Sequence, residues 1–221
     1  MVYVTGDLHG EYSRFQDKAM KQLKKGDILL VCGDFGFVWD ESRQEQKLLQ
    51  KIGRRRHITL FLDGTHDNLP CIEGYPLEEF AGAPVRHICG NLYYAQRGSV
   101  FTLEGKTVFV MGGGISSDME EREEGKTWWS QEQPTLQELR AAEEVLQRYD
   151  GQVDYIVTHQ PPEDIRRFIT GEEERISPLG NFLNQVQAQC GFTHWYFGEL
   201  HRDKVVPPRY TAVFQAVLPL K

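Results

Sequence analysis

Little in this chain would fix it by covalent links or carry it into a membrane. Only four cysteines occur among 221 residues, Cys32, Cys71, Cys89 and Cys190, and no two form a C-x-x-C pair. The spacing points to neither a zinc knuckle nor a disulfide framework; small buried hydrophobes in a reducing compartment are the expectation. No apolar run is long enough to span a bilayer. The first residues, Met1-Val2-Tyr3-Val4-Thr5, lack a basic stretch followed by a long apolar run and do not read as a signal peptide. The expected location is the cytoplasm. Positive charge is also scarce, with 25 Lys and Arg against 32 Asp and Glu for a formal net charge of -7. Long nucleic acid, whose binding is dominated by phosphate neutralisation, is therefore a poor partner. No G-x-S-x-G nucleophile elbow is present, which argues against an α/β hydrolase using a serine nucleophile. Internal repeats, low-complexity tracts and linkers are missing too, so residues 1–221 read as one domain.

What remains is a series of short buried strands and helical patterns. Val2 to Thr5 reads as the first strand. A helical pattern follows, with Tyr12, Phe15, Ala19 and Leu23 on one face. Ile28 to Cys32 and Ile58 to Leu62 are apolar throughout, as strands covered on both faces are, with a helix over Glu41 to Ile52 between them. This β-α-β-α-β opening predicts a parallel sheet. The middle reads as meandering, mostly antiparallel sheet: Val85 to Ile88, Leu92 to Tyr94, Ser99 to Leu103 and Thr107 to Met111. After Gly112-Gly113-Gly114 comes an irregular stretch to about Gln133. Pro134-Thr135 then opens a helix carrying Leu136, Leu139, Val145, Leu146 and Tyr149. Tyr155 to Thr158 is a further buried strand, stopped by Pro161-Pro162. A helix around Phe182 to Cys190, a strand at Trp195 to Phe197 and a hairpin ending in Thr211 to Leu218 complete the chain.

The strands keep ending alike. They run into Gly6-Asp7-Leu8-His9, Gly33-Asp34, Gly64-Thr65-His66-Asp67, His159-Gln160-Pro161-Pro162 and Gly198-Glu199-Leu200-His201. Singly, an Asp after Gly is a turn residue or helix cap, and a His beside Pro-Pro is a loop residue. Jointly they differ. Four of the seven histidines, 9, 66, 159 and 201, follow predicted strands in the same kind of loop, and turn formation gives no reason for that. Ligands of open α/β sheets bind beyond the carboxyl ends of the strands, where such side chains can converge on a metal or an anion.

These fragments, in this order from Asp7 to His201, resemble the motifs of the calcineurin-like metallophosphoesterases: Asp-x-His, Gly-Asp, Gly-Asn-His-Asp/Glu, a lone His, and Gly-His-x-His. Gly33-Asp34-Phe35-Gly36 through Trp39, with Arg122, Trp128-Trp129, Glu132-x-Pro134 and Thr158-His159-x-Pro161-Pro162, is similar to a small bacterial branch of that superfamily. The resemblance implies an α/β fold, a four-layer α/β/β/α sandwich of two mixed sheets, with the metal site at the carboxyl ends of the strands. It implies two divalent metal ions, with Asp7, His9 and His201 holding the first, Asp34 bridging, and His159 on the second. His66 would lie by the substrate phosphate and protonate the leaving oxygen, with Asp67 orienting it. Two positions depart from the pattern: Thr65 replaces an Asn, and Glu199 replaces a His. Both belong to the second metal, and a carboxylate there shifts preference toward oxygen-loving ions such as manganese or magnesium, with iron and zinc as alternatives.

The implied activity is hydrolysis of a phosphodiester or phosphomonoester by a metal-bound hydroxide, with a small phosphorylated substrate such as a nucleotide. The competing expectation is a non-catalytic member that binds a nucleotide or a protein. Thr65 and Arg122 are candidates for substrate contact, Arg122 through its fork of donors or else in a surface ion pair. Trp128 and Trp129 would stack a base or pack the irregular segment onto the body.

Overall fold

The computed structural model describes residues 1–173 and 176–221. Its elements in chain order are β1 (Val2–Thr5), a 3-10 turn (Tyr12–Gln16), α1 (Lys18–Lys21), β2 (Ile28–Val31), α2 (Arg43–Gly53), β3 (Ile58–Phe61), α3 (Leu69–Glu73) and β4 (Leu77–Phe80). Then come β5 (Ala83–Cys89), β6 (Leu92–Ala95), β7 (Ser99–Leu103), β8 (Lys106–Met111), α4 (Leu136–Arg148), β9 (Tyr155–Thr158) and α5 (Glu163–Thr170). The last are α6 (Pro178–Gln189), β10 (His194–Phe197), β11 (Lys204–Val206), β12 (Tyr210–Ala212) and β13 (Leu218–Pro219). Among the described residues, no helix is long and apolar enough to cross a membrane.

Among the described residues, thirteen short strands make two sheets, ordered β13-β1-β2-β3-β6-β5-β4 and β11-β12-β10-β9-β8-β7. Each has a parallel centre: β1, β2, β3 and β6 in the first, β12, β10, β9 and β8 in the second. Antiparallel strands flank both centres. The period-two alternation of a strand sorts each side chain into one of two cores. Ile28 and Leu30 of β2 face a central core shared with Val108, Val110 and Val157 of the other sheet. Leu29 and Val31 face an outer core with Leu49 and Ile52 of α2 and Ile72 of α3. On the second sheet Ile156 packs under Leu139, Leu146, Phe182 and Val186 of α4 and α6. Three apolar cores therefore separate four layers, the expected α/β/β/α sandwich.

The helix ends follow local chemistry. Ser42 caps α2 by accepting from the Glu45 N–H, Thr135 and Glu138 form a reciprocal capping box on α4, and Ser177 caps α6 ahead of Pro178. Three expectations need correction. The helix over Tyr12 to Leu23 is broken at Asp17, whose backbone is extended. Phe15 and Met20, five residues apart, are both buried while Ala19 is exposed, so no single helical stripe can serve. The middle meander is split: β5 and β6 join the first sheet, β7 and β8 the second, and the chain crosses between them at Gln96–Gly98. The closing hairpin is shorter than expected. The Asp203 carboxylate accepts the backbone N–H groups of Phe214, Gln215 and Ala216, which removes them from any ladder. The chain then passes to the other sheet, where β13 pairs with β1. Helix α5, capped at its end by left-handed Gly171, has no clear signal in the sequence; eight residues with five charges or hydroxyls carry too little pattern. Of the cysteines, all free, only Cys32 is fully buried.

Candidate metal centre

The parallel centres of both sheets present their carboxyl ends to the same rim, so the loops after β1, β2, β3, β9 and β10 meet there. Asp7, His9, Asp34 and His201 each offer a ligand atom, and these atoms lie within 4.8 Å of one another. Asp7 and His9 come from the loop after β1, Asp34 from that after β2, and His201 from that after β10. His9 Nε2 and His201 Nε2 face each other at 2.9 Å, and His9 Nε2 is 3.7 Å from Asp34 Oδ2.

His159 borders this group from the second sheet. Its Nδ1 is 3.0 Å from the Cys32 carbonyl, which makes Nδ1 the protonated nitrogen and leaves Nε2 facing Asp34 Oδ1 at 3.5 Å. Glu199 donates its backbone N–H to Asp7 Oδ1 at 3.0 Å, tying the two sheets together at the site. Asp7, His9, Asp34, Glu199 and His201 all have left-handed backbones, with φ between 41° and 64°. That conformation costs energy for residues other than glycine and gathers at functional sites. Room for the group depends on glycine. A Cβ at Gly64 would fall 2.1 Å from Asp34 Oδ1, and one at Gly33 would fall 2.2 Å from His159 Nδ1.

The electrostatics favour a cation. Asp7 Oδ2 and His159 Nε2 are buried with no hydrogen-bond partner among the described residues, a costly state unless something binds them. Burial raises the Asp7 carboxyl, as expected for a charge taken out of water. Burial also opposes ionisation of Asp34, but His159 and His66 beside it hold its carboxyl below the usual range. Burial pushes His9 down to about 4 and lowers His201, so both imidazoles are neutral, the form that binds metals. His159 goes the other way, to about 9, because the carboxylates of Asp34, Asp7 and Glu199 outweigh its burial. Two buried carboxylates, the neutral imidazoles of His9 and His201, and unpartnered atoms turned inward are a donor set that fits divalent metal.

His66 stands at the edge of the group. Its backbone N–H donates to Asp34 Oδ1 at 2.8 Å, and its ring Nδ1 lies 3.0 Å from Asp34 Oδ2 and 3.1 Å from Thr65 Oγ1. The Thr65 hydroxyl is thus engaged by His66. Asp67, expected to orient that ring, does something else. Its carboxylate accepts from the backbone N–H groups of Phe35, Gly36 and Gly64, clamping the loop after β2 to the loop after β3. Burial and the Asp34 charge push it to about 7 against the pull of these amides. Arg122 donates to the Thr65 carbonyl at 3.0 Å and lies 3.1 Å from Asp118. Trp129 packs edge-on against Trp39, with ring centres 4.7 Å apart. A cleft of about 290 Å³ opens above the group, walled by Thr65, His66, Arg166, Glu172, His201 and Arg202.

Sequence reasoning missed two supports. Asp63 is buried, held by Arg97 at 2.6 Å and by the Tyr94 hydroxyl at 2.9 Å, and fixes the start of the His66 loop. Asp118 sits in the irregular stretch, where no periodicity singles out any residue. A family model described as calcineurin-like phosphoesterase matches residues 1–203. A search of the curated proteins returned no match. With these motifs, these two sheets and this cluster at their shared rim, the chain belongs to the calcineurin-like phosphoesterases, a family of metal-dependent phosphoester hydrolases.

Proposed function

We propose that the protein hydrolyses a phosphodiester or phosphomonoester of a small molecule, with His66 as the general acid. The observation that carries this reading is the meeting of Asp7, His9, Asp34 and His201 from three separate strand ends, with His66 in contact with the central carboxylate. Asp7, His9 and His201 would hold one divalent ion, His159 and Glu199 a second, and Asp34 would join both. Divalent metal held by these residues would supply charge neutralisation for the phosphoryl oxygens and a lowered pKa for water near neutral pH.

The remaining work falls to the chain. His66 gives a proton to the leaving oxygen, a role that contributes about 10²- to 10⁴-fold. Asp67 keeps the loops after β2 and β3 at a fixed separation, which sets the place of His66 beside the group. Manganese suits a second half built on Glu199. The cleft of about 290 Å³ is at the small end for ligand sites and suits a nucleotide-sized substrate. The charge of -7 disfavours long nucleic acid.

The test is metal content together with turnover of a generic aryl phosphodiester and monoester in manganese, magnesium, iron and zinc. Robust turnover in at least one metal is expected. One bound ion and no turnover in any of them would replace the enzyme with a nucleotide- or protein-binding module.

A further inference from the structure

The ring of His66 has two sides. Nδ1 faces Asp34 at 3.0 Å, and Nε2 faces Asp118 Oδ2 at 3.8 Å, within ion-pair distance. Asp118 comes from the irregular stretch between β8 and α4, outside every strand-end motif. Its other oxygen, Oδ1, is shielded from solvent and has no hydrogen-bond partner among the described residues. Arg122, only 10% exposed, reaches back to Asp118 Oδ2 and also grips the carbonyl of Thr65, the residue before His66. Beneath them, the buried Glu132 carboxylate accepts the N–H and the hydroxyl of Ser116. A carboxylate can only accept, so a ring nitrogen facing it must donate to be satisfied.

We infer that Asp118, held in place by Arg122, is the positioning residue that fixes the His66 ring, the part Asp67 does not play because its oxygens are spent on three backbone amides. The inference rests on His66 being the proton donor of the proposed reaction. With Nε2–H directed to Asp118, the proton for the leaving oxygen is the one on Nδ1, on the Asp34 side of the ring, and the irregular segment holds the ring in that orientation. Arg122 acts there too, through Asp118 and the Thr65 carbonyl.

A fixed proton donor matters most when the leaving group cannot depart without a proton. In the metal-loaded enzyme, Asp118→Asn should slow an alkyl phosphodiester by about 10- to 100-fold, the range seen when the outer partner of a functional histidine is removed. It should leave a nitrophenyl ester within about threefold and metal content unchanged, and Asp118→Glu should recover part of the loss. Equal slowing of both esters would reduce Asp118 to a merely structural role and overturn the proposal. A second readout needs no turnover. The ¹⁵N shift of His66 Nε2 should move in Asp118→Asn while those of His9 and His201 stay; an unmoved His66 overturns the proposal as well. If the parent protein hydrolyses neither ester, the reading of the site fails, and the ¹⁵N shift still decides whether Asp118 orients the ring.

Discussion

The two halves of the proposed metal centre are built differently. One half, Asp7, His9 and His201 around Asp34, has every ligand atom within 4.8 Å of the others. The other half, His159 and Glu199 beside Asp34, takes His159 and Glu199 from loops after β9 and β10 of the second sheet. His159 is completely buried and locked by the Cys32 carbonyl, whereas Glu199 is partly exposed. The Thr65 hydroxyl is turned to His66. The difference teaches that left-handed loops, which only a well-packed rim sustains, place Asp7, His9, Asp34 and His201 and also Glu199, so what sets the second half apart is His159. The second half depends on one rigid imidazole and one adaptable carboxylate.

The sharpest way to break this comparison is to remove what the halves share. Asp34→Ala should lose metal from both and lower turnover by at least about 10³-fold, beyond what loss of a single electrostatic contact costs. Metal analysis decides it: a variant that keeps a full complement would show the halves to be independent. Next in size, His66→Ala should lower turnover by about 10²- to 10⁴-fold while both halves keep their metal. Metal loss in that variant would place His66 among the ligands.

The first half was readable in the sequence because its chemistry coincides with chain punctuation. Val2 to Thr5 and Ile28 to Cys32 are buried strands that stop at glycine, and the next polar residue has to sit at the rim. Singly, Asp7 and Asp34 read as turn or cap residues; their recurrence with four histidines at strand ends, and then the resemblance, point to a metal. The four layers were readable only through the resemblance, since alternation within Ile28–Val31 is invisible when both faces are apolar. What could not be read is what depends on distant contacts. Asp203 ends the last hairpin by taking three amides, and the bonds of Asp67 to Phe35 and Gly36 reach 32 and 31 residues back along the chain. Asp118 lies in a stretch with no period. Trp128-Trp129 left two readings open, and the edge-on contact of Trp129 with Trp39 supports packing.

Smaller effects separate the halves directly. His201→Ala should weaken the first metal by about 100-fold or more, since it deletes a ligand rather than a ligand's partner. Glu199→Gln should weaken the second by about tenfold, because an amide oxygen replaces a charged one while the backbone N–H to Asp7 Oδ1 is untouched. Titration with manganese, read by calorimetry, should resolve two sites whose affinities respond to different variants. A single site answering to both substitutions would merge the halves into one.

The smallest effect concerns the departures themselves. Thr65→Asn with Glu199→His restores the family residues in the second half and leaves the first alone. An imidazole at position 199 binds zinc or iron better than a carboxylate does, and an amide at position 65 offers a stronger oxygen donor than a hydroxyl. The double variant should therefore shift metal preference from manganese toward zinc or iron and raise turnover by less than about tenfold, under about 1.4 kcal/mol. Thr65 brings a cost, however, because its hydroxyl lies 3.1 Å from His66 Nδ1 and Asn would surrender that contact. The single variants apportion the result. Glu199→His alone should carry the change in metal preference, and Thr65→Asn alone should lower turnover on poor leaving groups, where His66 matters most. A double variant that loses turnover in every metal would mean that Thr65 and Glu199 are adapted to this chain's own substrate, and that the second half is specialised.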